Sequence, residues 1–566
     1  MDQTVKPPDP NRKVKGDRIE DPVWTPPVPP PMATIQDDDE LLLARIGYKQ
    51  ELQREFSKWS TISYAISILG VLGSVPATFG SPLSVGGPAT AVWCWLIGSC
   101  MAMCIGSSVA ELVSAYPTAG GMYFVTKHVV PADQVPIFSW IQGWCNLLGQ
   151  TAGVSSVAYT VSQMLLAGVS MNSDLVNGQY SYSPFAITSS IANSPANDRI
   201  TDGVGVDWDA VHYWRDLLAD YENPASNHSL VRPDQQYVSA TICICIALVY
   251  LTPDKQPASW VFTHFTDGSG WGSKVFSFFL GFLSVAWTMT DYDGTTHMSE
   301  ETHDAAVRGP VAIKTAVLVS GAFGWMLTVC MCFCLTEFDE ILNSPTGLPA
   351  AQIFLNAGGK AGGTTMWAFA ILVQFFTGCS AMLADTRMAY AFARDDALPF
   401  SRFLSEVNPY THTPVNAVWF VVFFSCCLNC IAIGSTETAT AIFSVTAPAL
   451  DLSYVSVILA HQIYKKKVKF IEGPFTLGRW GTLINYIAVI WVLFISTILF
   501  FPSQLPVTPA NMNYAICVAA FISIFALVWW WVDARGKYTG PQTNNIIHEI
   551  PSEDGTDYEE PDEITV

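Results

Sequence analysis

Charge is scarce in this chain: 13% of its 566 residues are Asp, Glu, Lys or Arg, about half of the roughly 25% a soluble domain carries. Half the residues are hydrophobic and the mean hydropathy is +0.30, the balance of a polytopic membrane protein. A cleavable signal peptide is also missing. Residues 1–58 are polar and Pro-rich, and the first apolar run is long enough to span by itself. Metal chemistry has no foothold, because nearly every Cys (Cys330, Cys332 and Cys334; Cys426, Cys427 and Cys430) lies in an apolar segment and none has a His at ligand spacing. Such cysteines act as small hydrophobes, so neither a zinc site nor a disulfide framework follows. Gly358 to Gly363 resembles a phosphate loop but lacks the Gly-Lys-Ser/Thr ending. With no nucleotide-binding or hydrolytic signature, no pump and no enzyme is expected, and no cofactor, metal or nucleic-acid partner. The net charge of −20 implies no cationic partner either, since Glu549, Glu553, Asp554, Asp557, Glu559, Glu560, Asp562 and Glu563 crowd a solvated C-terminal tail.

What is present is organised around Ile66 to Pro76, inside the apolar run Ser60 to Leu83. Two glycines, two serines and a proline interrupt what should be one continuous helix. A broken backbone in lipid leaves N–H and C=O groups unpaired at several kcal/mol each, so it survives only where protein or a wet cavity satisfies it. Half-helix ends with free amides form a site for a small charged solute. A second stretch of this kind, Phe282 to Gly294, lies some two hundred residues later. The alternative is that Gly and Pro here only let helices pack closely.

Arg45, Lys49, Arg54 and Lys58 precede the first span and place the N-terminus in the cytosol. Spans follow at 60–83, 88–113 and 136–169, and later near 275–296, 311–335, 364–386, 414–434, 438–460, 483–501 and 512–532. The basic linkers (Arg387, Arg394 and Arg402; Lys465, Lys466, Lys467, Lys469 and Arg479; Arg535 and Lys537) all face the cytosol only if the helix near 275–296 runs inward. The chain must then cross an even number of times between 170 and 275. Only Tyr237 to Leu251 is apolar there, and its 15 residues fall short of the roughly 20 a span needs. Trp208 to Tyr221 carries Asp209, Arg215, Asp216 and Asp220, too many charges for lipid. Either a helix has been lost, or Tyr237–Leu251 does not cross.

Several segments then resemble one family. Ala110-Glu111-Leu112-Val113-Ser114-Ala115-Tyr116-Pro117-Thr118-Ala119-Gly120-Gly121 is similar to the signature after span two of the fungal amino acid/choline permeases. These include the GABA, choline and polyamine permeases of the amino acid–polyamine–organocation superfamily. Gly143 to Gln150, Ala286 to Asp293 with Glu300-Glu301, Ala393-Arg394-Asp395 with Leu398-Pro399, and Thr446 to Asp451 match as well. The resemblance implies an all-α transporter with two inverted five-helix repeats, a substrate site between broken helices one and six, and two further helices. It fails at Ala186 to Val238, where helix four and half of helix five belong, so helix four is missing or replaced. A retained intron would leave the same discontinuity.

Ser67, Gly70, Gly73 and Ser74 supply the amide and hydroxyl donors of broken helix one, suited to a substrate carboxylate. By the resemblance, Trp287 matches a gating aromatic able to cap an amine, or else an interfacial anchor, and Asp293 matches a relay acid, or else a structural node. Asp291 stands where relatives carry Gly and receives less weight. Glu111, Glu300 and Glu301 are read as inner-gate partners of Arg387 or Arg394. Asn146 and Gln150, four apart, line the pocket or bond helix to helix. Asn227-His228-Ser229 is a glycosylation sequon, usable if that loop is outside.

Three regions are expected: a cytosolic tail over 1–58, a transporter domain over 59–532 with an atypical polar insert at 170–236, and an acidic cytosolic tail over 533–566. The expected function is secondary, proton-coupled transport of amino acids or related amines such as GABA, choline or polyamines. The setting is a plasma or vacuolar membrane, and the partners are the solute, a proton and the bilayer. The alternative is a truncated relative that does not transport: a sensor, a partner or an inactive product.

Overall fold

Lipid offers no hydrogen bonds to a backbone, so an apolar chain buried in it is driven into helices that satisfy themselves. The computed structural model follows this rule: among the described residues (56–172, 233–408, 413–431, 436–509 and 511–542) there is no strand, only an isolated bridge between Phe56 and Thr302. Eight helices there are long and apolar enough to cross a bilayer, and three shorter apolar helices accompany them. The protein is a multi-pass, all-helical membrane protein.

The first span is two helices, α1 (Lys58–Leu69) and α2 (Val71–Thr78), divided at Gly70. Next come α3 (Gly80–Ala115), a short inner helix α4 (Gly121–Val129) and α5 (Val135–Asn172). After residues 173–232 the chain resumes with α6 (Pro233–Leu251). The second interrupted span consists of α7 (Lys274–Leu280), α8 (Leu283–Thr288) and, past a break at 289–293, the single turn α9 (Gly294–His297). Then follow α10 (Ala305–Phe333), α11 (Pro349–Arg394), α12 (Val415–Ile431), α13 (Thr436–Tyr464), α14 (Gly481–Leu499) and α15 (Ala515–Val532). Helices α3 and α10 pack on one another, as do α5 and α11, pairing the second and third spans of the two implied repeats. Small residues make this close approach possible: a Cβ on Gly324 of α10 would lie 2.1 Å from the Trp95 ring, whose Nε1 donates to Gly321 O at 3.0 Å.

The structure extends the account of the region after α5. Helix α6 has 19 residues and rises ~28 Å, but its first four, Pro233 to Gln236, are polar, so its apolar part, Val238–Leu251, stays among the shorter helices as the sequence indicated. Its outer end is joined to that of α10, where Gln256 N–H donates to Phe333 O at 3.0 Å. The end of α5 lies on the same outer side, with Asn172 Nδ2 donating to Thr364 Oγ1 at 2.9 Å. Val238 and Thr241 line one small cleft with Gly70, Val71 and Ser320, so much of α6 lies on the outer side of the first break. The crossings made by 173–232, and the sequon at Asn227, lie outside the described residues, as do 1–55 and 543–566 of the expected tails.

Candidate functional site

The first break is built on one glycine. Gly70 has φ +44° and ψ 48°, a left-handed conformation that glycine adopts without a Cβ penalty. Its carbonyl accepts from the N–H groups of Gly73 and Ser74, both at 2.9 Å. A Cβ at this position would lie 1.7 Å from Thr377 Oγ1, so conformation and space both require glycine. Helix α11 clasps the break: Thr377 Oγ1 donates to Ser67 O at 3.0 Å, and Ser380 Oγ to Ser67 Oγ at 3.1 Å. Ser74 Oγ donates to Gln374 Oε1 at 3.0 Å, and Gln374 passes its own N–H to Thr160 at 2.9 Å. A Cβ on Gly73 would meet Gln374 at 2.6 Å. The four candidates of helix one are thus brought together, but Ser67 and Ser74 engage α11 rather than standing free as donors.

The second break is built on acids. Asp291 is left-handed at φ +62°, a conformation uncommon outside glycine but tolerated by Asp. This accounts for an Asp standing where a Gly is otherwise expected. Gln150 Nε2 holds it with a 2.7 Å bond to Oδ1, so Asp291 belongs to the site more firmly than its sequence position suggested. Asp293, fully buried, begins α9 and is surrounded by donors. Tyr454 OH donates to Oδ1, Asn146 Nδ2 to Oδ2 at 3.5 Å, and His297 Nε2 lies 3.5 Å from Oδ2. Asn146 also donates to Ser453 Oγ at 3.2 Å. Asn146 and Gln150 therefore tie α5 to the second break, while Asn146 Oδ1 and Gln150 Oε1 are buried without hydrogen-bond partners.

Above the break, Trp287 is buried in the packed interior rather than at an interface. Its Nε1 donates to Ser156 Oγ at 2.8 Å and its ring meets Phe443 edge-on at 5.1 Å. Beside it the Thr78 and Ser284 hydroxyls lie 2.7 Å apart, joining α2 to the helix-six segment. Below the break, Arg387 Nε and Glu301 Oε1 form a buried ion pair at 2.6 Å, and Glu300 Oε1 accepts the Ala119 N–H at 3.2 Å. Phe56 N–H donates to Glu301 O at 2.8 Å, so the segment before α1 also ties this face shut. Both ends of the central region are closed in this conformation.

Glu111 is placed elsewhere. It accepts the Leu477 N–H at 2.8 Å and docks the α13–α14 linker under α3, with Phe475 N–H donating to Ser114 Oγ at 3.0 Å nearby. The expectation of a gate ion pair at Glu111 is thus replaced by a linker contact. The chain after α15 docks on the same inner face, where Tyr538 OH lies 2.8 Å from Tyr123 OH and 2.9 Å from Ser139 Oγ. Just past α11, Asp395 lies in this region, and burial pushes its carboxyl up to about 6 against the opposing pull of Arg394.

Sequence reasoning passed over Tyr454, His297, Gln374, Thr377 and Asp385. The hydroxyl and amide residues carry no local signal in an apolar helix, and only spatial neighbours reveal them. Asp385 had a legible signal, being a carboxylate within an apolar run.

Comparisons with known proteins agree with this architecture. The family model described as amino acid permease matches residues 56–191 and 238–524. The unmatched interval falls within the stretch where the sequence departs from the permease pattern. An amino-acid permease of Schizosaccharomyces pombe is 44% identical over 515 residues, covering 90% of this chain and 91% of the relative. The amino-acid permease 2 of Neurospora crassa is 35% identical over 517 residues, covering 91% of each. A GABA-specific permease of Saccharomyces cerevisiae is 29% identical over 520 residues, covering 90% of this chain and 86% of the relative. On this coverage, the chain belongs to the amino acid permease family of the amino acid–polyamine–organocation superfamily.

Proposed function

We propose that this protein is a secondary permease that carries an amino acid or a related small amine across a membrane, driven by protons. The single observation behind this reading is Asp293: a buried carboxylate at a helix break, ringed by Asn146, Tyr454 and His297. A carboxylate at that depth is costly and marks an ion or substrate path. The unpartnered carbonyl oxygens of Asn146 and Gln150 are acceptors suited to a protonated amine entering beside Asp291. The opposite end of such a solute, a carboxylate, suits the start of the second half-helix, where it takes the Gly73 and Ser74 N–H groups over from Gly70 O as α11 releases Ser67 and Ser74.

Trp287 serves as the outer lid, its ring free to cover an amine once Ser156 is released. The Glu301–Arg387 pair serves as the inner gate, with Glu300 holding the α3–α4 turn beside it. Membership of the family and the relatives' names favour amino acids, with GABA a specific candidate; choline and polyamines are further ones. The plasma membrane is the proposed location, and the acidic segment over 533–566 and the segment over 1–58 its cytosolic tails.

A second reading, a non-transporting sensor or scaffold, draws on the departure from the family pattern at 192–237. Uptake of radiolabelled GABA, choline, putrescine and amino acids into cells lacking their own permeases separates the two. Accumulation above vector control that collapses with a protonophore supports the permease. No accumulation of any of these, with the protein present in the membrane fraction, supports the sensor.

A further inference from the structure

We propose that Asp385 and His297 form the inner leg of a proton path that starts at the second helix break and ends at the cytosolic gate; the inference rests on the permease reading above. Asp385 sits on α11 with no solvent exposure; no close hydrogen bond reaches either carboxylate oxygen, and the donor that stands beside them is the Thr151 hydroxyl of α5. A structural carboxylate in a membrane interior is held by donors, because burying it bare is expensive. Asp385 lacks that arrangement, which favours a group that is itself protonated and deprotonated over a packing node.

His297 connects it to the known part of the site. Its Nδ1 is 2.8 Å from Ala119 O, a carbonyl that can only accept, so Nδ1 carries a hydrogen and Nε2 is the nitrogen that takes up or releases a proton. Nε2 lies 3.5 Å from Asp293 Oδ2, and α9 packs directly on α11 next to Asp385, where a Cβ on Gly294 would lie 3.3 Å from the Ala384 Cβ. The groups facing Asp385 are few. Asp291 and His297 come from the helix-six segment, with Asp293 beyond them, and the Thr151 hydroxyl from α5. Tyr64 of α1 stands beside Asp291 and Asp293. Arg387, two residues along α11, is committed to Glu301 and does not neutralise Asp385.

The transfer needs no co-reactant. A proton leaves the Asp293 carboxyl for the lone pair of His297 Nε2. The imidazolium then gives it to a carboxylate oxygen of Asp385, and from there it leaves to the cytosol when the Glu301–Arg387 pair opens. No electron changes hands, and each acceptor is restored when the next one is charged.

The test uses full-length protein in proteoliposomes loaded with a pH-sensitive dye, with an equimolar mixture of GABA, choline, putrescine and the twenty amino acids as probe. Wild type should acidify the lumen on addition of the mixture and exchange the labelled compounds in counterflow. Asp385→Asn should reduce acidification at least tenfold while still exchanging, and Asp385→Glu should restore acidification. Acidification by Asp385→Asn equal to wild type overturns the proposal, as does equal loss of exchange and acidification that Asp385→Glu does not repair. Wild-type exchange without acidification removes the proton path but leaves the permease, whereas absence of wild-type exchange removes the permease reading as well. Monodisperse elution of each variant guards against misfolding.

Discussion

The two helix breaks solve one problem with opposite chemistry. At Gly70 the interruption is made by the backbone alone, and hydroxyl and amide side chains of α11 fill in for the missing helix. At Met289 to Asp293 the interruption carries two carboxylates, one in a left-handed conformation, and side chains of α5, α9 and α13 hold them. A backbone break offers neutral amide dipoles that do not change with pH. An acidic break offers groups whose charge a proton can cancel. On the proposed permease reading, one site would hold a fixed receptor for an anionic end and a variable receptor for a cation, the pairing that coupling a solute to a proton requires.

Substitution at Gly70 should have the largest effect. Gly70→Ala combines left-handed strain of about 1–2 kcal/mol with overpacking of about 1–3 kcal/mol against Thr377. Uptake should fall below detection, with surface expression reduced. Adding Thr377→Ala removes the nearest clash, leaving the strain and milder contacts with the residue-377 Cβ at 3.0 Å and Ser67 O at 3.2 Å, and should return expression in part. Near-normal uptake by Gly70→Ala would contradict a fixed backbone receptor.

At the acidic break the two carboxylates should separate by about an order of magnitude or more. Asp293→Asn keeps the shape but cannot ionise, so proton-driven accumulation should drop more than tenfold. Asp291→Gly relieves the left-handed residue while losing the Gln150 bond, worth about 1 kcal/mol, and should stay within roughly threefold of wild type. Equal losses in both variants would erase the distinction drawn between the two residues.

The smallest effect concerns an acid outside the bilayer, a control for those at the break. Asp395 has its carboxyl raised to about 6 by burial, so the protonated form favours the folded state. Its contribution is complete below the unfolded value near 3.9 and is lost as pH rises through about 6. The melting temperature in detergent should fall by a few degrees between pH 5 and 7 for wild type, and less for Asp395→Asn. Transport should respond little to that substitution, in contrast with Asp293→Asn.

Both breaks were legible because Gly, Ser and Pro in an apolar run, and acids in another, violate the local rule for a membrane helix. The alternating basic linkers imply an orientation, and the departure over 186–238 contains the interval the family model leaves unmatched. Glu111, Glu300 and Glu301 were all read as partners of Arg387 or Arg394 from their positions at helix ends, and of these Glu301 meets Arg387 at 2.6 Å. Glu111 has the same local features yet binds a linker amide, because the α13–α14 connection folds beneath α3. Position along one helix does not say which neighbour will arrive.

By itself, the amino-acid sequence determined that this chain lives in lipid, which two of its spans are interrupted and which residues are too polar to be there by chance. These are properties of single segments and of the free energy of moving them from water. Only the tertiary structure decided that α11 closes over Gly70, that Tyr454, Asn146 and His297 converge on Asp293, and that Asp385 stands without a close hydrogen bond. Those contacts join residues as far as 310 positions apart. Helix packing within the bilayer, which depends on shape rather than on hydrophobicity, selects among them.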